Sequence, residues 1–239
     1  EGNIAIWHAG NNPAKWKRQG MFISDGTDPL YDWQAVIPHN QKPHVKNPKQ
    51  GYIGSANQHP TTSDYPYFLS EFYWASFRWH QIHKRLDTLQ SATTSDMIDI
   101  QLDNRSIFAE KTMPVMLRLL KNHLKNELEQ QVFHILSEWD YEMDGYSSAP
   151  TIYRNWYALL EEFTWVDDLG IENEKYIWPH QDKMMELILT DPESHWFDNK
   201  ITTPIETFSD ICRAAFHRTI TELHNQYGDN IETDWIWSK

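Results

Sequence analysis

The apolar positions after residue 64 recur at the spacing of an α-helix. Successive large or small apolar side chains are separated by three or four residues over about 25 positions, in the order Phe68, Phe72, Ala75, Trp79, Ile82, Leu86 and Leu89. This period predicts an amphipathic helix. Asp64 can cap its start, and Pro66 is tolerated in a first helical turn. The pattern therefore predicts one continuous helix over residues 64–89 that packs through Phe68, Phe72, Trp79, Ile82 and Leu86.

The same spacing continues through the rest of the chain and predicts several more helices. One begins at Thr94, and one begins or kinks at Pro114. That helix or a successor continues toward Trp139, and three more cover Thr151–Phe163, Met184–Leu189 and Phe208–Tyr227. Gly228 is well placed to end the last of these, because glycine readily adopts the left-handed conformation that follows many helices.

Residues 1–60 have a different pattern. Short apolar pieces at Ile4–Trp7 and Gly51–Ile53 predict strands. Pro38, Pro43 and Pro48 make a helix between them unfavourable. We therefore predict a mainly α-helical fold with a small β-rich amino-terminal part (α+β), with residues 1–60 supplying strands and residues 61–239 forming a helical domain.

Composition and charge narrow the functional classes. The chain has 239 residues, 40% hydrophobic residues and a net charge of −13, which are typical of a folded protein and oppose nucleic-acid binding. No apolar run approaches the roughly 20 residues that span a bilayer, so we predict no membrane insertion. The single cysteine, Cys212, lies among apolar residues at helical spacing, which favours a buried thiol over a reactive one.

Twelve tryptophans are many for this length. Aromatic faces provide large, rigid contact areas, so these residues can line a glycan or acyl pocket. Several of them fall on apolar helical faces, which favours core packing. A helical, Trp-rich glycan-binding module remains the alternative function at this point.

Three groups of polar residues suggest metal or acid–base chemistry, and each has a simpler interpretation. Asp140, Glu142 and Asp144 precede Gly145 as in half of an EF-hand loop, but the bidentate Glu is missing, which favours an acidic turn. His80 and His83 lie one helical turn apart without an evident third ligand. The adjacent acids Glu161–Glu162 and Asp167–Asp168 point in different directions on a helix, which favours a charged surface. The sequence predicts no metal or cofactor site.

Asn57 is the strongest catalytic candidate. It follows the apolar residues Tyr52 and Ile53 and the small residues Gly54, Ser55 and Ala56. A fixed Asn side chain is a neutral hydrogen-bond donor, as an oxyanion hole requires. The alternative is a turn-forming Asn that bonds its own backbone.

An ordered series of residues around Asn57 resembles a known family. It comprises Asn47, Pro48, Gly51, Tyr52, Ile53, Ala56, Asn57, Pro60, Asp64, Tyr65, Pro66, Arg78, Ile82 and Leu86. Weaker landmarks lie upstream at Gly2–Ile4, Gly10, Pro13 and Asp32–Trp33, and downstream at Trp139–Asp140, Ala149, Trp156, Tyr227–Asp229, Trp235 and Trp237. The series is similar to the middle segment of the β-chain of the penicillin acylase family, the N-terminal-nucleophile hydrolases with an αββα fold. Gln58 departs from the pattern, which has a second Asn there, and Gln34–Ala35 stands in place of a glycine.

The resemblance implies specific roles and surroundings. Asn57 corresponds to the oxyanion donor, and Arg78 to a supporting residue beside it. The complete enzyme would cleave linear amides, such as β-lactam side chains or acyl-homoserine lactones, and would reside in the periplasm or outside the cell. Its partners would be the remainder of the acylase α- and β-chains and a small N-acyl amide substrate. Family members often bind a structural calcium, whose ligand positions do not map onto this chain.

The nucleophile of such enzymes is an amino-terminal Ser, Thr or Cys whose α-amine acts as the base. This chain begins with Glu1–Gly2. We therefore expect an internal fragment that is inactive by itself. A catalytically inactive, acylase-like interaction domain is a further alternative.

Overall fold

The computed structural model describes residues 2–170 and 178–238, so Glu1, considered above as a nucleophile position, lies outside the described residues. The chain forms two compact units, Glu1–Ile100 and Gln101–Lys239. The described residues form eight α-helices and one two-stranded sheet, which confirms the predicted mainly α-helical fold with a small β-rich part. The boundary predicted at residue 60 rests on a change of composition. The division of the chain into two compact units falls after Ile100.

The sheet of the first unit is a short antiparallel pair. Strand β1 covers Ala5–Trp7 and strand β2 covers His44–Lys46, with Trp7 opposite His44. Asn47 closes the pair, because its backbone N–H donates to the carbonyl of Ile4 and its side-chain oxygen accepts from the N–H of Ile4, both at 2.9 Å. These bonds hold the end of β2 against the residue that precedes β1.

The predicted strand at Gly51–Ile53 is wrong. Gly51 has φ +78° and its N–H donates to the carbonyl of Pro48, so the chain turns at this point. The following residues, including Tyr52 and Ile53, run without a strand partner among the described residues. A short apolar run alone does not provide the neighbouring strand that a sheet requires.

The first helix is shorter than predicted. Helix α1 covers Phe77–Leu86, and the continuous helix predicted over residues 64–89 is therefore wrong for residues 64–76 and 87–89. Pro66 disfavours the helical conformation of the residue before it. Phe68 instead forms an antiparallel bridge with Lys15, and Phe72 is 68% exposed, so neither packs as part of a helical face. Helix α2, at Thr94–Gln101, begins where the sequence predicts it.

The described residues of the second unit form six α-helices. They are α3 (Ile107–Leu120), α4 (Glu127–Glu138), α5 (Ala149–Leu169), α6 (Gln181–Thr190), α7 (Phe208–Tyr227) and the short α8 (Ile231–Asp234). Pro114 lies inside α3. Helix α7 has the predicted bounds, because Thr207 and Asp210 form a capping box at its start and Gly228 follows its end with φ +81°.

The core of the second unit lies between α5 and α7. Trp156 on α5 is fully buried, its ring centroid lies 5.0 Å from that of Phe216 on α7, and its indole N–H donates to the carbonyl of Cys212 at 3.0 Å. Cys212 is buried as predicted, and burial raises the pKa of its thiol. This thiol is therefore part of the packing and is poorly ionised.

The tryptophans divide between the two units. In the second unit, four are buried, which agrees with core packing: Trp139, Trp156, Trp165 and Trp235. In the first unit, four are exposed, and for these the core interpretation is wrong: Trp7, Trp16, Trp33 and Trp74. Trp79 is half-buried, so it is not the fully buried helix residue that the predicted 64–89 helix required.

The net charge is also unevenly distributed. Residues 1–100 carry nine basic and nine acidic side chains, whereas residues 101–239 carry 12 basic and 25 acidic ones. The whole charge of −13 therefore belongs to the helical second unit. Within residues 2–170 and 178–238, none of the helices combines the length and the apolar character that crossing a membrane requires.

Candidate active site

Asn57 lies at an exposed turn of the first unit. Its φ is +63°, in the left-handed region that non-glycine residues adopt rarely and Asn adopts more readily than most. The turn follows the irregular segment 52–56 and is held to the stretch before α1, because the backbone N–H of Trp74 donates to the carbonyl of Asn57 at 3.3 Å. The backbone conformation at Asn57 is therefore fixed by residues distant in sequence.

Arg78 fixes the side chain of Asn57. It lies in the first turn of α1, and its Nη2 donates to Oδ1 of Asn57 at 2.6 Å. The same nitrogen lies 3.5 Å from the carbonyl oxygen of Ala56. Because a guanidinium has donors only, the carboxamide oxygen of Asn57 must face Arg78. Nδ2 consequently lies on the other side of the carboxamide, and within the described part of the chain it donates to no protein group.

This arrangement creates an oriented, neutral donor. Among the described residues, the side chain of Asn57 bonds Arg78 and not its own backbone, in contrast to the usual turn-forming Asn. A cation at the carboxamide oxygen withdraws electron density from the amide and strengthens the hydrogen bond that Nδ2 can donate. Such a donor stabilises negative charge that develops on a nearby oxygen.

A second contact anchors the same segment to α1. The hydroxyl of Tyr52 donates to Oδ1 of Asp87 at 2.5 Å and lies 3.2 Å from Nδ1 of His83. Burial and the neighbouring Asp87 carboxylate together raise the pKa of Tyr52 to about 12, so its hydroxyl stays protonated as a donor. Gly54 allows this close approach, because a side-chain carbon there would lie 3.3 Å from Nε2 of His83. The segment that ends at Asn57 is thus attached to both ends of α1.

Asn57 faces a large open cleft of about 1360 Å³ that is formed within the first unit. Aromatic and imidazole side chains dominate its walls, among them Trp7, His44, His59, Tyr73, Trp74, Trp79, His80 and His83. Several of these rings pack in pairs. Trp7 stacks on His44 with ring centroids 3.9 Å apart, and His59 lies 4.6 Å from Tyr73. The cleft therefore offers rigid apolar surface around a polar donor, as small-molecule sites commonly do.

The candidate metal and acid–base groups have internal partners. His80 and His83 both pack on Trp79, at 4.8 and 4.2 Å. Asp140 and Asp144 accept from the backbone N–H groups of Glu142 and Tyr146, at 3.0 and 2.8 Å, so the acidic turn caps itself. Among the described residues, no group of three or more His, Cys, Asp or Glu side chains is placed to hold a metal ion. These groups do not fit a calcium ion.

The adjacent acids Glu161 and Glu162 face different partners, whereas Asp167 and Asp168 both contact Lys200, through its backbone N–H and its ammonium group. Glu161 accepts from the hydroxyl of Tyr157 at 2.5 Å, and burial raises the pKa of its carboxyl group. Glu162 faces Arg218 at 3.4 Å. Adjacent acids that face different partners cannot act as a pair across one substrate, as expected for neighbours on a helix.

The sequence predicted Asn57 and Arg78 individually, and the structure places them in direct contact. It missed the contacts of Tyr52 with His83 and Asp87, which depend on how the irregular segment crosses α1. It also missed the stacking of Trp7 on His44. The register of β1 and β2 brings these two residues opposite each other, so a correct strand pairing would have revealed that stack.

Comparisons of the sequence and of the structure with known proteins all give similarity to acylases. A family model described as penicillin amidase matches residues 1–239. The acyl-homoserine lactone acylase QuiP of Pseudomonas syringae pv. syringae (strain B728a) is 24% identical over 260 residues, which cover 99% of this chain and 31% of that protein. Penicillin G acylase of Escherichia coli is 24% identical over 143 residues, which cover 58% of this chain and 17% of that protein.

A solved structure has the same fold. The thermostable penicillin G acylase from Alcaligenes faecalis superimposes with a TM-score of 0.69 at 14% sequence identity, covering 96% of this chain and 46% of that chain. The chain spans less than a third of the length of the two curated relatives above.

Proposed function

The chain belongs to the penicillin amidase family, and from that membership we propose that it is part of an amidohydrolase that cleaves linear amide bonds. The observation that carries the proposal is the contact of Arg78 with Oδ1 of Asn57, which leaves Nδ2 without an acceptor among the described residues, on a residue that lines the cleft. An amide substrate that enters this cleft presents a carbonyl oxygen, which is the atom that becomes negatively charged during hydrolysis.

In the proposed mechanism, Asn57 stabilises the tetrahedral intermediate. The nucleophile is an amino-terminal serine in another part of the enzyme; its hydroxyl adds to the amide carbon while its own α-amine takes the proton. Nδ2 of Asn57 donates to the resulting oxyanion. The C–N bond then breaks, the proton passes to the leaving amine, and water hydrolyses the acyl-enzyme by the reverse sequence of proton transfers. One such donor contributes about 2.7–4 kcal/mol to the transition state.

Arg78 acts on this reaction through Asn57. It holds the carboxamide of Asn57 with the oxygen directed toward the guanidinium of Arg78, so the carboxamide does not have to rotate when the oxyanion forms. Preorganised donors of this kind cost no reorganisation at the moment of reaction, which is why they accelerate it. Arg78 is therefore a positioning residue, and its positive charge further favours negative charge nearby.

The substrate class follows from the relatives and from the cleft. The similar proteins are named for acyl-homoserine lactones and for penicillin G, which are both N-acyl compounds. The aromatic walls of the cleft suit an apolar part of such a compound. The first unit carries no net charge, so it does not repel an anionic substrate as the second unit would. The remaining parts of the acylase are the proposed partners, and the periplasm or the extracellular space is the proposed location.

The experiment is hydrolysis by the mature, complete enzyme. Purified enzyme is incubated with penicillin G or with an N-acyl-homoserine lactone, and the released primary amine is quantified. We expect turnover of at least one of the two substrates, and none by the isolated chain of residues 1–239. Turnover by that isolated chain, abolished by Asn57→Ala, would contradict the external serine. Failure of the complete enzyme to hydrolyse any N-acyl compound would favour the inactive interaction domain.

A further inference from the structure

Gln58 stands where the family pattern has a second Asn, and it makes an unusual local contact. Its Oε1 accepts the backbone N–H of Ala56 at 2.7 Å, so the side chain reaches back across Asn57. Ala56 is only 7% exposed, which means that water has little access to its backbone. A buried amide without a partner destabilises the conformation that buries it. Gln58 therefore satisfies a group that the turn itself leaves unpaired.

This contact belongs to the set that holds Asn57 in the left-handed region. Three hydrogen bonds act on the turn: Gln58 on the N–H of Ala56, Arg78 on the carbonyl of Ala56 and the N–H of Trp74 on the carbonyl of Asn57, at 2.7, 3.5 and 3.3 Å. The Gln58 contact is the shortest of the three. A non-glycine residue at φ +63° persists only when its surroundings determine its conformation.

The length of the Gln58 side chain matters for this role. Asn at position 58 would be shorter by one methylene, or about 1.5 Å. That difference is half the length of a hydrogen bond. An Asn side chain in this backbone conformation would thus fail to reach the N–H of Ala56.

We infer that Gln58 is a positioning residue, whose Oε1 fixes the turn that directs Nδ2 of Asn57 into the cleft. The inference rests on the proposed function, since it assumes that Asn57 contacts the reacting carbonyl. It assigns the role to the oxygen end of Gln58. The Nε2 end donates to no protein group among the described residues, and Gln58 lines the cleft, which gives a clear rival role as a direct substrate contact.

Two substitutions separate the two ends of this side chain. Gln58→Glu keeps an acceptor for the N–H of Ala56 and removes both Nε2 donors. Gln58→Met keeps the length and removes both the acceptor and the Nε2 donors, so the comparison of the two variants isolates the acceptor. In the mature, complete enzyme we expect Gln58→Met to lower kcat by about 3- to 10-fold with KM nearly unchanged, since one neutral hydrogen bond is lost. Gln58→Glu adds a negative charge beside the oxyanion, which lowers kcat for a separate reason, so the exchange rate of the Ala56 amide is its readout.

Hydrogen exchange provides a readout that does not depend on activity. The Ala56 amide should exchange about 3- to 10-fold faster in Gln58→Met and at an unchanged rate in Gln58→Glu, because only the first loses the acceptor. Gln130→Met, at an exposed position on α4, serves as the matched control for both measurements. Asn57→Ala is measured in parallel as the reference for the catalytic turn.

The outcomes distinguish this inference from the proposed function. A large loss of kcat in Asn57→Ala, together with unchanged kcat and unchanged Ala56 exchange in Gln58→Met, would overturn the role of Gln58 alone. A raised KM in both Gln58→Glu and Gln58→Met, with unchanged Ala56 exchange in Gln58→Met, would also overturn it, in favour of substrate binding by Nε2. Full activity of Asn57→Ala would overturn the proposed function itself.

Discussion

Replacing Arg78 by Met tests whether the arginine acts through Asn57. The substitution removes the 2.6 Å contact with Oδ1 of Asn57 while keeping an unbranched side chain on α1. A hydrogen bond to a charged group contributes about 1.5–3 kcal/mol. At 1.36 kcal/mol per factor of ten, full loss of this orientation lowers kcat by roughly 10- to 100-fold. KM should change little, because the ground-state carbonyl carries little charge.

The assay is steady-state hydrolysis of an N-acyl substrate by the mature, complete enzyme, arranged as a double-mutant cycle. If Arg78 works by orienting Asn57, adding Arg78→Met to Asn57→Ala should lower kcat little beyond Asn57→Ala alone. Arg78→Lys should be intermediate, because an ammonium keeps the charge but lacks the planar guanidinium fork. Arg118→Met, at an exposed position on α3, is the matched control and should leave kcat unchanged.

Two results would refute this reasoning. Fully additive effects in the cycle would show that Arg78 acts independently of Asn57. An Arg78→Met enzyme with normal kcat would show that the contact does not orient the donor during catalysis.

Three further predictions concern the stability of the second unit. Trp156→Ala should lower the free energy of unfolding by roughly 3–5 kcal/mol, since it leaves a cavity and removes the hydrogen bond to the carbonyl of Cys212; an unchanged urea midpoint would contradict the packing of α5 on α7. Burial raises the pKa of the Glu161 carboxyl, so the folded state binds this proton more tightly than the unfolded state. The protonated group therefore stabilises the fold fully at pH values below the ordinary carboxyl pKa, and this stabilisation is lost as the pH rises through the raised pKa. Glu161→Gln should remove the contribution of Glu161 to the pH dependence of the unfolding midpoint. An unaltered pH profile would contradict the raised pKa of Glu161. Hydrogen bonds from the Thr207 hydroxyl and then from Arg213 lower the pKa of Asp210. The Asp210 carboxylate therefore stabilises the fold at pH values above its ordinary pKa, and this stabilisation is lost as the pH falls through the lowered pKa. Asp210→Ala should cost about 1 kcal/mol at pH 7, and no cost would show that the capping box contributes nothing.

The helices of the second unit could be predicted because local signals agreed with the packing. In α7, the apolar spacing and Gly228 predicted the bounds, and the Thr207–Asp210 capping box stabilises the predicted start. Sequence and structure agree best where each of these signals points to one answer. The burial of Cys212 followed from the same spacing.

The first unit was harder to predict because its structure depends on contacts distant in sequence. The helical spacing over residues 64–76 is real, but the bridge of Phe68 with Lys15 and the proline at 66 determine the conformation there. The apolar run at Tyr52 looked like a strand, yet its hydroxyl binds the end of α1. Tertiary contacts override local propensity in such segments.

The candidate site was predictable only in part for the same reason. Asn57 and Arg78 were identified from an ordered series of residues, and no local pattern indicated that they touch. The contact of Gln58 with Ala56 was not predicted either, because a side chain that reaches back two residues has no simple sequence signal.

The kcat of the Asn57→Ala variant in the mature, complete enzyme tests the central claim most directly. If Nδ2 of Asn57 donates to the oxyanion, kcat should fall by roughly 10²–10³-fold with little change in KM and a melting temperature close to that of the parent enzyme. If Asn57 only forms the turn, the variant should lose about 1 kcal/mol of stability and retain kcat. A fully active, slightly less stable enzyme would contradict the account.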